Sequence, residues 1–389
     1  MYILRAQSKY LVTMYQRFRK FGLCLFGASL IWTVQGQSHE HDHHHHHHHG
    51  HSHSHGNNHG PSADIPMQSK LVTGQGEFVF SWDQELTAAF PEGARATESQ
   101  MHGGFNEDPE TSIVYTGIPG YGLCAISPDL ETWTRIGSDE RLKDNIHGIV
   151  FFVHKGKKLL ALAQNGKRVL ITTIEGEIVS DILKPKGIEF DYPRANYFFS
   201  SSASNFGVTD VTYYDSTIYV AHGYSKGDFV LTIVENDGCW DWGKLAWGGK
   251  GDLPGQFMTA HGIYAHDDHI YVANRAAGQV VQFTPEGEFV EMFQEIPDGS
   301  LVCNVSYKDE HYFFNALSAL GDQKSAPIYA HTGDKLVSTI IPGDLDIPVI
   351  TNIHHVWPHH VMGDDGSKHL YLLVHAWNKG KYAVLKLEK

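Results

Sequence analysis

The stretch from Ala260 to Val290 reads AHGIYAHDDHIYVANRAAGQVVQFTPEGEFV. Short runs of β-branched and aromatic residues alternate in it with Asp-Asp, Ala-Ala-Gly and Pro-Glu-Gly, which favour turns. The pattern predicts four antiparallel strands joined by tight turns. Such a unit is typical of one blade of a β-propeller.

Related units recur along the chain, and each opens on a polar residue: His102, His147, Asp210, His261, Asn304 and His359. Six openings spaced by roughly fifty residues predict an all-β, six-bladed β-propeller rather than a sandwich. Five or seven blades remain open, because the first and fifth units are poorly patterned. The last unit ends after three strands, and the orphan strand Gly76–Trp82 could pair with it to close the ring.

The amino terminus has the pattern of an export signal. Arg17, Arg19 and Lys20 precede an apolar run from Phe21 to Val34, and small residues follow. We therefore expect a signal peptide over residues 1–36 and a secreted or periplasmic protein. A retained membrane anchor is the alternative, although the run is shorter than the roughly 20 residues that span a bilayer.

A histidine-rich segment is predicted over residues 37–75, ahead of a propeller over 76–389. Thirteen of the 28 histidines lie between His39 and His59, where almost nothing apolar is available for burial. The segment should be disordered, and its imidazoles can bind zinc, copper or nickel ions. Metal capture is favoured over an expression tag or a neutral expansion.

Charge and motifs exclude several functions. The formal net charge of -14 comes with no basic stripe in the propeller, which argues against a nucleic-acid partner. Cys124, Cys239 and Cys303 can form at most one disulfide, so the core must stabilise what we expect to be a monomer. Phosphate-binding glycine loops, Gly-x-Ser-x-Gly and HExxH are absent from the sequence.

The polar residues that open the units should meet at the centre of the ring, because the innermost strands of a propeller line its channel. Four of the six are histidines. Three histidines with one open coordination position suit a catalytic zinc ion. Not every member of this set need be a ligand.

Four segments carry a family resemblance: NIHGIVF, TDVTYYDSTIYVAHGYSKGDFV, WGGKGDLPGQFMTAHGIYAHDDHIYVANRAAGQVVQF and WPHHVMGDDGSKHLYLLVHAWNKGKYAVLKLE. The units resemble the NHL repeat. The order of these motifs across residues 144–389 further resembles the peptidyl-α-hydroxyglycine α-amidating lyases. These enzymes cleave an α-hydroxyglycine carbinolamide to an amide and glyoxylate.

The resemblance implies that His147, His261 and His359 hold zinc. It also implies that Tyr224 is the catalytic base and that the Arg275 guanidinium faces the substrate. A small-molecule or peptide substrate would then bind in the central channel. A tyrosinate beside zinc can accept the hydroxyl proton as the C–N bond breaks.

The chain departs from the family at three points. Trp357-Pro358-His359-His360 stands where the family has Met-Pro-His-Asp, which argues against the structural calcium that the aspartate would bind. The arginine of the first blade has no clear counterpart near His102, and His222 replaces an aspartate. Two other functions stay open: a non-catalytic propeller that binds a partner, and extracytoplasmic handling of transition metals.

Overall fold

The computed structural model describes residues 70–377 and 381–388. The predicted signal peptide (1–36) and the predicted histidine-rich segment up to residue 69 lie outside this part. The first strand begins at Thr73. The last residues of the predicted histidine-rich segment are therefore part of a sheet, ahead of the predicted start of the propeller at 76.

Six antiparallel sheets form within the described residues, and each corresponds to one propeller blade. Blade 1 comprises β3 (Phe105–Glu107), β4 (Val114–Ile118), β5 (Gly122–Ile126) and β6 (Trp133–Ile136). Blade 2 comprises β7 (Ile146–His154), β8 (Lys157–Gln164), β9 (Arg168–Thr173) and β10 (Ile178–Ile182). Blade 3 comprises β11 (Asp210–Tyr214), β12 (Thr217–His222), β13 (Phe229–Asn236) and β14 (Cys239–Gly248).

The second half of the chain continues the same order. Blade 4 comprises β15 (Ala260–His266), β16 (His269–Asn274), β17 (Gln279–Phe283) and β18 (Phe289–Met292). Blade 5 comprises β19 (Val302–Lys308), β20 (His311–Ala316), β21 (Ile328–His331) and β22 (Leu336–Ile340). Blade 6 comprises β23 (Asn352–Met362), β24 (Lys368–Trp377), β25 (Tyr382–Leu387), β2 (Phe78–Asp83) and β1 (Thr73–Gln75).

The ring closes through the amino-terminal strand, as the sequence predicts. Strand β2 pairs antiparallel with β25, so that Phe80 lies opposite Leu387. Strand β1 then pairs with β2 as a fifth strand. The edge that β25 would otherwise expose is covered in this way. The prediction of a six-bladed all-β propeller is confirmed.

Apolar side chains fill the spaces between neighbouring blades. Six buried clusters lie within the described residues, one at each junction, including the junction of blade 6 with blade 1. Each blade thus buries both faces of its sheet, so the strands read as nearly continuous apolar runs. Packing between blades therefore holds the ring together, since the described cysteines are all free.

Helices are few and short in the described part. They are α1 (Gln84–Ala88), α2 (Pro193–Ser200) and the 3-10 helices Glu92–Gln100, Glu140–Lys143, Arg275–Ala277 and Pro342–Leu345. None of the helices described has both the length and the apolar character to cross a membrane.

Two kinds of connection lie on the same face of the ring: the segments that lead into innermost strands and the turns that follow second strands. The innermost strand of a blade begins where the second strand ends, because the two are antiparallel. Segments that lead into innermost strands and turns after second strands therefore meet on this face. It is the face on which function is expected, since loops carry functional side chains on a rigid scaffold.

Candidate metal centre

Three histidines from alternate blades meet at the centre of this face. His147, His261 and His354 come from β7, β15 and β23, and one ring nitrogen of each lies within 4.8 Å of the others. Their exposed fractions are 3%, 2% and 2%. This group, called the triad below, could hold a metal ion.

Each triad histidine is the extra residue of a β-bulge. Ile146 and Gly148 pair with consecutive residues of β8, which leaves His147 without a partner opposite. The register shifts in the same way at His261 in β15 and at His354 in β23. A bulge redirects one side chain out of the normal alternation of a strand. All three imidazoles can therefore point along the channel while their neighbours remain in the sheet.

Backbone carbonyls set the tautomer of two triad histidines. His261 Nδ1 donates to the carbonyl oxygen of Cys303 at 2.7 Å, and His147 Nδ1 donates to that of Thr209. Each carbonyl belongs to the start of the next blade or the residue just before it. With the proton on Nδ1, the Nε2 lone pair is free to bind a cation, which is the arrangement typical of metal-binding histidines.

His354 is buried with neither ring nitrogen hydrogen-bonded. An unpaired buried polar atom costs about 1–3 kcal/mol, which a bound cation would offset. Burial also holds the pKa of all three triad histidines well below the usual value, so they are neutral and able to act as ligands. The donor set therefore fits a transition metal.

The structure does not bring His359 into this group, contrary to the prediction. His359 is fully buried farther along β23, where Nδ1 lies 3.0 Å from Glu107 Oε2 and Nε2 donates to Pro128 O at 2.8 Å. Burial alone would raise the pKa of Glu107, but His359 and Lys308 hold it below its usual value. Both ring nitrogens are thus engaged with blade 1, Nδ1 with the Glu107 carboxylate and Nε2 with the backbone carbonyl of Pro128.

Tyr224 and Arg275, to which the resemblance assigns catalytic roles, both lie at the triad. The Tyr224 hydroxyl lies 2.9 Å from His261 Nε2 and 3.3 Å from His147 Nε2. Arg275 Nη1 donates to the same hydroxyl at 3.0 Å, and the guanidinium carbon lies 5.1 Å from the centre of the tyrosine ring. Burial raises the pKa of Tyr224, and the charge of Arg275 opposes that rise.

Both residues follow second strands. Tyr224 lies in the turn after β12, and Arg275 begins the 3-10 helix after β16. The backbone of Tyr224 is fixed from both sides, because its N–H donates to Gly207 O and its carbonyl accepts from Asn205 Nδ2. The segment between β10 and β11 therefore holds the tyrosine in place.

Of the remaining candidate residues, three lie at or beside the triad and one lies apart from it. Asp210 and Asn304 line a narrow cavity together with the triad, and burial raises the pKa of Asp210 to about 8. His102 lies beside the triad, with its ring centre 5.5 Å from that of His147. His222, considered as an extra ligand, is buried apart from the triad and contacts Ser225 Oγ through Nδ1 at 2.8 Å.

His354 is the residue that the sequence prediction missed. Strand β23 begins at Asn352, so the sixth unit opens earlier than the predicted His359. The sequence does contain a signal for His354, because the tripeptide Asn-Ile-His occurs at 145–147, where it opens blade 2, and again at 352–354. The resemblance to Met-Pro-His instead favours His359, in the second His-His pair of this strand.

Comparisons with known proteins give little beyond the architecture. No protein-family model and no curated protein matches this sequence. Regucalcin from Agrobacterium tumefaciens, described as a calcium-binding protein, has a TM-score of 0.47 at 11% identity over 75% of this chain and 91% of its own. A luciferin-regenerating enzyme gives 0.45 at 12% identity, over 75% and 93%. A catalytically inactive virginiamycin B lyase from Staphylococcus aureus gives 0.42 at 10%, over 75% and 96%. TM-scores and sequence identities this low say nothing about the chemistry of the metal centre.

Proposed function

We propose that this propeller is a zinc-dependent lyase of the peptidyl-α-hydroxyglycine α-amidating type. What supports the proposal most is the position of Tyr224, whose hydroxyl is within hydrogen-bonding distance of two triad nitrogens and of Arg275. The resemblance of the motifs across residues 144–389 supplies the reaction.

His147, His261 and His354 would hold the ion through nitrogen atoms. Three neutral imidazoles favour zinc or a similar transition metal, whereas calcium prefers six to eight oxygen ligands. When bound, the ion would supply positive charge that acidifies the substrate hydroxyl and stabilises the negative oxygen.

Tyr224 is the group placed to take the hydroxyl proton. Without a cation, its own proton can be donated to His261 Nε2, 2.9 Å away. Once that nitrogen is engaged as a ligand, the hydroxyl has to turn to another acceptor or to the substrate. Nearby positive charge favours the tyrosinate, and Arg275 already contributes one such charge.

Arg275 has the chemistry to orient an acidic substrate, since a guanidinium can donate two parallel hydrogen bonds to a carboxylate. The reaction then balances without a further reactant. The hydroxyl proton leaves to Tyr224, and the carbinol carbon keeps its oxygen as the aldehyde of glyoxylate. The C–N bonding electrons stay with nitrogen, which takes up one proton and becomes the primary amide.

The test is glyoxylate release from α-hydroxyhippurate by the zinc-loaded protein, with Tyr224→Phe as the decisive variant. Loss of a positioned base should lower kcat by about 100- to 10,000-fold, while zinc content stays the same. Tyr214→Phe is the matched control, because its hydroxyl contacts Asp268 in the neighbouring blade instead of the triad.

Full activity of the Tyr224→Phe variant would exclude the tyrosine as the base. If the unmodified protein binds zinc tightly yet releases no glyoxylate, the lyase proposal is wrong. The non-catalytic alternatives, a partner-binding or metal-handling propeller, would then be favoured.

A further inference from the structure

A fourth histidine stands at the edge of the triad. His102 precedes β3 in blade 1, and its ring centre lies 5.5 Å from that of His147 and 4.9 Å from that of His354. Tyr224 lies at a different edge, between His147 and His261. Two polar side chains therefore flank the centre along two of its sides.

His102 is the blade 1 counterpart of two triad histidines. Like His147 and His261, it is followed by a glycine. A Cβ on Gly103 would lie 2.9 Å from the carbonyl oxygen of Ile146, at the start of the next innermost strand. A Cβ on Gly262 would likewise lie 2.6 Å from Asn304 Cα in the next blade. The glycine after each of these two histidines is thus packed so closely against the next blade that no side chain fits there.

His102 is nevertheless not a member of the ligand group, which comprises His147, His261 and His354. Its Nδ1 has two neighbours, the carbonyl oxygen of Gln100 at 3.2 Å and Asn145 Nδ2 at 3.3 Å. Within the described residues, no hydrogen bond involves His102 Nε2. One nitrogen of a half-buried imidazole thus remains available beside the metal centre.

The two neighbours of Nδ1 leave the tautomer of His102 open. When Nδ1 donates to Gln100, Nε2 is an acceptor; when Nδ1 accepts from Asn145, Nε2 is a donor. A secondary amide offers both an N–H donor and a carbonyl acceptor. His102 can therefore hydrogen-bond to an amide with either of its neutral tautomers.

Trp377 extends this edge with an apolar surface. Its ring centre lies 4.7 Å from that of His102, and its side chain is half-buried at the end of β24. An indole packs well against aromatic or large apolar groups, with a gain beyond the area that is buried. Next to the available nitrogen of His102 there is thus an apolar surface that an aromatic or large apolar group can pack against.

We propose that His102 and Trp377 form the subsite for the acyl side of the scissile amide, so that the centre prefers N-acyl groups that are aromatic or large and apolar. The substrate would lie with its carboxylate at Arg275, its carbinol carbon between Tyr224 and the triad, and its acyl group on Trp377. The identity of the substrate rests on the proposed function, whereas the preference of the subsite can be measured without turnover.

The experiment is calorimetric titration of the zinc-loaded full-length protein with hippurate and with N-acetylglycine, which lack the hydroxyl and cannot be cleaved. Trp377→Ala should raise the Kd of hippurate by about tenfold and leave that of N-acetylglycine within twofold. Trp377→Phe should restore most of the hippurate affinity. His102→Ala should weaken both ligands by about fivefold, because both contain the amide. His269→Ala is the control, since His269 contacts Asp267 O at the far end of blade 4.

Equal effects of Trp377→Ala on the two ligands, or none on either, would overturn the acyl subsite. Unchanged binding in His102→Ala would overturn the role of the imidazole, and undetectable binding of hippurate to the unmodified protein would overturn both. If hippurate binds with a preference that depends on Trp377 but α-hydroxyhippurate is not cleaved, the subsite stands and the proposed reaction fails. Unchanged zinc content and thermal midpoint in each variant show that the fold and the triad are intact.

Discussion

The substitutions His354→Ala and His359→Ala should have opposite effects on metal binding and on stability. His354 is a triad member with two unpaired nitrogens, whereas His359 has both nitrogens engaged with Glu107 and Pro128. The two residues lie on the same strand and are both almost completely buried. Each variant is therefore the matched control of the other.

The expected loss of affinity for zinc in His354→Ala follows from the number of ligands. Structural zinc sites with four protein ligands contribute about 10–16 kcal/mol, or roughly 2.5–4 kcal/mol per ligand. Since each 1.4 kcal/mol is tenfold in Kd, loss of one of the three ligands should weaken binding by about 60- to 700-fold. The metal-free protein should lose little stability, because the change also removes two unpaired buried nitrogens.

His359→Ala should leave zinc in place and destabilise the fold. It removes the partner of Glu107, whose side chain is only 9% exposed. Breaking a buried ion pair costs about 3–5 kcal/mol. We expect the lower end of this range, because Lys308 Nζ, 3.5 Å away, still faces the carboxylate.

The assays are zinc affinity by competition with a chelating indicator and urea unfolding of the metal-free protein. Zinc content is compared between full-length variants that share the same histidine-rich segment, so binding outside the triad cancels in the difference. One equivalent of tightly bound zinc should be missing from His354→Ala alone. The reverse pattern, with zinc lost only in His359→Ala, would refute the assignment of the triad.

Two further predictions concern stability. Burial lowers the pKa of His375 to about 3, against an ordinary value of 6.5. As the pH falls below 6.5, His375 therefore binds a proton in the unfolded chain but not in the folded protein. This contribution of His375 to the free energy of unfolding is fully present above pH 6.5 and is lost on acidification, by roughly 2–3 kcal/mol between pH 7 and 4.5. Urea unfolding at several pH values should therefore show a shallower decline for His375→Asn, and parallel curves would contradict the prediction. Gly148→Ala would place a Cβ 2.5 Å from Asp210 Cα and should lower the free energy of unfolding by about 1–3 kcal/mol, together with zinc affinity. Gly93→Ala, whose Cβ would meet only Tyr121 at 3.3 Å, should change neither.

The architecture could be predicted because it depends on local patterns. Alternating apolar runs and turn residues define four strands in units such as 260–290, and those strands form blade 4. Closure of the ring was also predictable, because the last unit lacks its outer strand and the otherwise unpaired strand near residue 80 can supply it. Both inferences need only the two-residue period of strands and the cost of an exposed edge.

The centre was predictable only in part. His147 and His261 begin well-patterned units, but β23 contains four histidines, and its long run from Asn352 to Met362 hides the point at which the unit opens. A bulge adds a further difficulty, because it depends on pairing with the next strand and shifts a side chain by one position. Which histidine points to the channel is thus decided by register rather than by composition.

The contribution of His102 and Trp377 was outside the reach of sequence patterns for another reason. His102 precedes blade 1 and Trp377 ends the second strand of blade 6, and they meet only because these two blades are neighbours in the closed ring. Nothing in the spacing of the two residues indicates the contact. By contrast, Tyr224 and Arg275 were indicated by the family resemblance, whose motifs each lie within a single blade.

The pairing of β2 with β25 also determines the order in which the protein can fold. Phe80 precedes the other five blades in the sequence and Leu387 follows them, so the sixth blade cannot be completed until all of these strands have been synthesised. Contacts this distant in sequence are slow to form, because a very long loop must close first. Until β2 and β25 pair, each of the two strands has a free edge that can pair with another chain. The pairing that closes the finished ring is therefore also the late folding step before which a partly folded molecule is most prone to aggregate.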